Sequence, residues 1–234
     1  MAKKKRAEPA AKLEPETLQE KKKRARRLLR GLEKAYPEAP CALHHRTAYE
    51  LLTAVILSAQ CTDERVNMAT PELFRQFPTP ADLAKSTQQQ VEKLVKPLGF
   101  FGAKATNIRG MAKALVERFD GEVPSNLDDL VSLPGVGRKT ANVVLGTWFG
   151  IPSGVVVDTH VTRISNLFGL VESKNAVIIE RELQKILPKA SWIDYSHRVI
   201  HHGRKICIAR RPKCLECPLI KDCRRVGLPT LEDK

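Results

Sequence analysis

Four of the six cysteines crowd into one short stretch, CIARRPKCLECPLIKDC, as Cys207, Cys214, Cys217 and Cys223. Their spacing is C-x6-C-x2-C-x5-C. So many thiols in so polar a segment are not core residues, and a soft metal centre is what holds thiolates together. Four-sulfur ligation suits either a zinc ion or an iron–sulfur cluster. Paired zinc knuckles normally show two C-x2-C turns, and this stretch has one. Cys41 and Cys61 lie outside the pattern and read as packing residues. The N-terminus, MAKKKRAEPAAKLEPETLQE, has no apolar core and no small-residue cleavage site. The expected compartment is therefore a reducing one, the cytoplasm or nucleoid, and the cysteines do not read as a disulfide framework.

A second chemistry-bearing stretch is LPGVGRKTANVV, residues 133–144. Gly135 and Gly137 can both take positive φ and let another backbone come close. The N–H groups of Gly135, Val136 and Gly137 then point outward where a helix begins, which makes an anion site suited to a nucleic-acid phosphate. A plain helical hairpin, with glycines only for tight packing, fits the spacing equally. Arg138 and Lys139 follow in the first turn, where the helix dipole disfavours a cation. Partial burial disfavours it further, and a neutral amine is a nucleophile that forms Schiff bases. The alternative is one more phosphate contact, or a lysine stem lying over apolar surface. In VVVDTH, Asp158 can cap the helix that starts after it, do acid–base or electrostatic work, or both.

The elements that must position these groups read as helices throughout. A helix is expected from Thr17 to about Tyr36, and a buried one over TAYELLTAVILSAQ, 47–60. Others are expected at Asp63–Phe77, after the cap Thr79, at Ala103–Phe119, after Ser125 with Asp128 as a near capping box, and at Arg138–Phe149. SGVVVDTH is the one β-like run, too short to build a sheet. Helices then resume at about 159–168, 175–187 and 194–206. The fold class is all-α, with no repeat of solenoid period. No apolar run approaches the roughly 20 residues that cross a bilayer. The net charge of +14 is uneven: residues 1–34 carry +8, residues 204–225 carry +6, and the middle is nearly neutral. Two basic zones suggest a polyanion partner, DNA or RNA first. A solvated face kept for solubility is the alternative.

LPGVGRKTANVV, VDTHVTR and the C-x6-C-x2-C-x5-C cysteines together resemble the endonuclease III family of helix-hairpin-helix DNA glycosylases; LSAQCTD and EVPSNLDDL support the likeness. The resemblance covers about 20–225. It implies two helical domains: a six-helix barrel at about 41–152, and a domain made of 17–40 with 153–225 around a 4Fe-4S cluster on Cys207, Cys214, Cys217 and Cys223. Residues 1–16 would be a disordered basic tail and 226–234 a C-terminal tail. DNA would lie between the domains, with Lys139 and Asp158 facing each other there. The implied activity is base excision repair of oxidised pyrimidines in duplex DNA. The damaged nucleotide is flipped out, Lys139 attacks C1′ with help from Asp158, a Schiff base forms, and β-elimination cuts 3′ to the abasic site. By the same resemblance Gln60 fills the vacated space, Phe100 or Leu98 wedges into the opposite strand, and His160 reaches into the DNA. The turn Gly135–Val136–Gly137 with Arg138, and separately Arg210, Arg211 and Lys213, hold phosphates. A monomer with no membrane association is expected. Three other readings compete. An adenine-mismatch glycosylase would lack the lysine and carry a further C-terminal domain. A noncatalytic DNA-binding module would show no turnover to lose. A zinc protein would be colourless.

Overall fold

A computed structural model describes residues 14–229 and 231. All of its regular structure is helical, and no strand occurs among the described residues. The helices begin where short polar side chains can satisfy their first N–H groups. α1 (Leu18–Ala35) starts on a capping box in which the Glu20 N–H donates to Thr17 and the Thr17 N–H donates to the Glu20 carboxylate. α2 (Ala48–Leu57) is capped by Thr47, α3 (Asp63–Gln76) by Thr62, α4 (Pro80–Lys85) by Thr79 and α5 (Gln88–Val95) by Thr87. α6 (Phe101–Phe119), α7 (Leu127–Val131), α8 (Arg138–Thr147), α9 (Thr159–Leu167), α10 (Ala176–Ile186) and α11 (Trp192–Lys205) follow.

The chain divides into two compact units. Pro40–Ser153 holds α2 to α8. Here α2 is buried nearly all round, because the other helices pack about it: α3, α6 and α8 touch it, while α4 and α5 lie against α6. The other unit joins the described residues up to Ala39 with those from Gly154 on. In it α1 packs on α10 and α11, and α11 on α9, around Leu28, Leu32, Phe168, Tyr195 and Val199. A polar knot fixes α1: the buried Arg24 pairs with Glu16 at 2.8 Å and donates to the carbonyls of Phe168, Gly169 and Asp222. A buried guanidinium is tolerable only when its donors are matched in this way. Of the expected basic tail, residues 1–13 lie outside the described residues, and Glu16 is the partner in this knot.

Two local expectations are corrected. SGVVVDTH forms no strand; it is a connection whose Val155 and Val157 plug the core, so the β-branched residues mark burial rather than pairing. The cap of α7 is Asn126, not Ser125: Asn126 Oδ1 accepts the Asp129 N–H at 2.9 Å. Asn caps as well as Ser, and this register puts Leu130 fully inside.

Candidate functional site

Leu133 and Val136 are buried and staple the turn between α7 and α8 to the core. The Val136 N–H donates to the Leu133 carbonyl at 3.1 Å, which takes it out of the set facing outward. The two glycines differ. Gly135 sits at φ +75°, and a Cβ there would meet Asn107 of α6 at 2.8 Å. Gly137 has an ordinary extended backbone, φ −91° and ψ 172°, and a Cβ on it would meet nothing within 4 Å. The expectation of positive φ therefore holds for Gly135 alone, and the bareness of Gly137 faces open space. No side chain caps α8, and a helix start without such a cap is where backbone N–H groups can meet an anion. Arg138 and Lys139 are exposed. The partial burial expected of Lys139 is absent: along α8 burial begins at Ala141 and continues with Asn142, Val144, Leu145 and Gly146. Asn142 anchors the helix, accepting from the Ser153 hydroxyl at 2.9 Å.

Asp158 belongs to the other unit. One carboxylate oxygen accepts the Val161 N–H at 2.8 Å and so caps α9; the other meets His160 Nδ1 at 2.9 Å. The His160 ring packs close to α11, where a Cβ on Gly203 would meet it at 2.8 Å.

Gln60 and Phe100 share a feature that spacing does not reveal. Both are non-glycine residues at positive φ, 52° and 47°. Such strain persists only where surrounding structure enforces it, and it collects at working sites. For Phe100 the enforcement is visible. A 3-10 turn at Lys96–Leu98 leads through Gly99 at φ +66°, and the buried Lys104 ammonium donates to the Leu98 carbonyl at 2.8 Å. Burial pushes the Lys104 pKa down, against the opposing pull of Cys61. Phe100 is left 69% exposed while Leu98 is 2% exposed. Leu98 is thus a core residue; with its side chain inside, it has nothing to wedge with.

Cys207, Cys214, Cys217 and Cys223 all line one cavity, together with Leu167, Phe168, His202 and Ile206. The C-x2-C segment is a 3-10 turn, with the Cys217 N–H on the Cys214 carbonyl. The Arg163 guanidinium donates to Cys207 Sγ at 3.5 Å, His202 Nε2 lies 3.7 Å from Cys217 Sγ, and Cys223 Sγ faces the Leu167 carbonyl. Burial pushes the Cys207, Cys217 and Cys223 thiols up, Cys223 to about 11, against hydrogen bonds from Arg163, the Leu219 backbone and the Arg225 backbone in turn, while the neighbouring cysteines add a smaller rise. Four thiols that share one cavity fit a cationic, thiolate-binding centre, which would hold them ionised. Among the described residues no three His, Cys, Asp or Glu close on a single ion-sized point. Arg210, Arg211 and Lys213 are exposed between the first two cysteines. Cys41 and Cys61 pack on the core of the Pro40–Ser153 unit.

The sequence reading missed Arg163, His202 and Tyr36 as partners of the cysteine cage. His202 stands on α11, and a His five residues before Cys207 was the available signal; Arg163, on α9, is 44 residues before Cys207 and had none. Tyr36 is remote in sequence and had none.

Known proteins resemble the chain over most of its length. Residues 53–189 match the family described as HhH-GPD superfamily base excision DNA repair protein. The chain is 50% identical over 203 residues to endonuclease III of Synechocystis sp., covering 87% of this chain and 93% of that one. It is 42% identical over 195 residues to endonuclease III of Escherichia coli, covering 83% and 92%. A solved structure of a trapped endonuclease III–DNA covalent intermediate, an estranged-adenine complex, superposes with a TM-score of 0.82 at 42% identity, over 87% of this chain and 96% of that one. The chain belongs to the endonuclease III family of the HhH-GPD superfamily of base excision DNA repair proteins.

Proposed function

We propose that Lys139 is the nucleophile, and Asp158 the acid–base and electrostatic residue, of a DNA glycosylase and AP lyase that removes oxidised pyrimidines from duplex DNA. The observation that carries this reading is the exposed amine of Lys139, set two residues past the bare Gly137 at an uncapped helix start. Backbone donors at such a start take a phosphate, which delivers the neighbouring sugar to the amine. The flipped nucleotide makes C1′ reachable. Lys139 Nζ bonds to C1′, and the glycosidic bond breaks with its electron pair leaving on the base, which takes up a proton. Asp158 accepts the proton that the amine releases and stabilises positive charge developing on the sugar. The sugar opens to a Schiff base, a proton leaves C2′, and the C3′–O bond breaks, cutting 3′ to the site. Water then hydrolyses the imine and frees Lys139.

The strain at Gln60 and Phe100 supports their insertion into the duplex, with Phe100 as the wedge. Gly135, Gly137, Arg138, Arg210, Arg211 and Lys213 serve as contacts to the backbone of the DNA, and His160 reaches into the duplex. Cys207, Cys214, Cys217 and Cys223 would hold a 4Fe-4S cluster. When bound, it would supply the four-thiolate closure that orders the loop carrying Arg210, Arg211 and Lys213. Four cysteines lining one cavity support that reading. The protein acts as a monomer in the cytoplasm, on the nucleoid; no described helix is long and apolar enough to cross a membrane.

Borohydride trapping on a duplex with one thymine glycol tests the reading. A covalent protein–DNA band is expected from the native protein and none from Lys139→Gln. Base release without a band would demote Lys139 to a contact.

A further inference from the structure

His202 is fully buried, and it touches the cysteine cage twice. Its carbonyl accepts the N–H groups of both Ile206 and Cys207, at 2.9 Å each, which sets the exit of α11 into the loop. Its ring nitrogen Nε2 lies 3.7 Å from Cys217 Sγ, and Nδ1 lies 3.0 Å from the Tyr36 hydroxyl. The ring cannot turn away. Phe168 stacks on it at 6.3 Å between centroids, and Tyr36 meets it edge-on at 5.8 Å. Tyr36 is itself buried, as the residue that ends α1.

These positions decide where the protons lie. A metal-bound thiolate only accepts, so the nitrogen facing it must bring a hydrogen. A neutral imidazole has one N–H, and with that hydrogen on Nε2 the other nitrogen is an acceptor, which the Tyr36 hydroxyl can fill. We propose that Tyr36 and His202 form a relay, Tyr36 O–H to Nδ1 and Nε2–H to Cys217, that tunes the electron affinity of the cluster held by the four cysteines. The relay rests on the cluster reading above. An N–H aimed at a ligand sulfur favours the more negative, reduced state and raises the reduction potential. Tyr36 and His202 are positioning residues: neither is a ligand. The backbone N–H of Leu219 also donates to Cys217, and it remains in any variant of the other two.

The experiment uses the full-length protein purified anaerobically. Iron and zinc per chain and the visible spectrum are measured first, then the midpoint potential of the native protein, Tyr36→Phe, His202→Gln and His202→Leu. His202→Leu, which removes the donor, is expected to shift the potential downward. Tyr36→Phe, which only frees the tautomer, should shift it the same way by less. His202→Gln should stay near the native value, because its amide can still offer an N–H to Cys217. If His202→Leu does not fold, Tyr36→Phe decides. Native potential in the folded donor-free variants, with iron content intact, would overturn the relay alone, and so would a His202→Gln shift as large as that of His202→Leu. A colourless native protein carrying zinc would sink the cluster reading and the relay with it.

Discussion

Asp158 divides its carboxylate between two tasks, capping α9 with one oxygen and meeting His160 with the other. The capping part can be kept while the charge is removed. Asn caps as well as Asp, so Asp158→Asn should leave the melting temperature nearly unchanged. Single-turnover base release should fall by about 10²- to 10⁴-fold, the usual worth of a positioned acid–base group. Asp158→Ala should lose the same activity and also about 1 kcal/mol of stability, read by denaturant titration. Equal stability losses in the two variants would mean that the cap is not what Asp158 supplies to the fold. The cap was legible in VVVDTH, because a carboxylate just before the first residue of a helical pattern is placed to accept that helix's first N–H groups. His160 as its second partner was not, since residues two apart meet only when the cap turns the backbone between them.

Among elements, the loop before α6 and the turn before α8 each pair a residue the fold needs with one it does not. Leu98→Ala should cost about 2–5 kcal/mol, as for any buried leucine. Phe100→Ala, on an exposed ring, should stay within about 0.5 kcal/mol of the native stability yet impair base release from a paired lesion more than from an unpaired one. In the turn, Gly135→Ala must hold a side chain at φ +75° against Asn107, a strain of about 1–3 kcal/mol visible in thermal melts. Gly137→Ala meets nothing in its own chain; it should melt within about 1 kcal/mol of native while its affinity for duplex DNA drops. Full affinity in Gly137→Ala would remove the phosphate reading of the turn. The helices themselves were legible, since Thr17 and Thr79 sit before amphipathic runs. What periodicity misjudged were places where burial outweighs pattern: the valines of SGVVVDTH plug a core without pairing, and Leu98 lies inside although its neighbours suggest an open loop.

At the scale of the molecule, α1, in the N-terminal basic zone, and the basic stretch at 204–225 both fall in the unit that holds the cysteine cage. Replacing Arg210, Arg211 and Lys213 together by Gln should reduce the slope of log affinity against log salt by about 0.9 for each phosphate that is no longer neutralised. The weakening should be uniform across DNA sequences, as measured by fluorescence anisotropy; an unchanged slope would show that these cations do not touch the backbone. That charge pattern was plain in the composition, whereas the joining of α1 to helices more than a hundred residues later was implied only by the family resemblance, because no local signal records which apolar stripe meets which. This discontinuity gives the protein a schedule. The ribosome releases α1 first, then all of Pro40–Ser153, and only afterwards the helices on which Leu28 and Leu32 are to rest. At about 5–20 residues per second, the apolar stripe of α1 must wait on the order of ten seconds for its partners. The last cysteine, Cys223, emerges later still. The cage of four thiols is therefore complete only after α1 to α11 have all been made, and the earliest helix and the latest cysteine of the described chain belong to one unit.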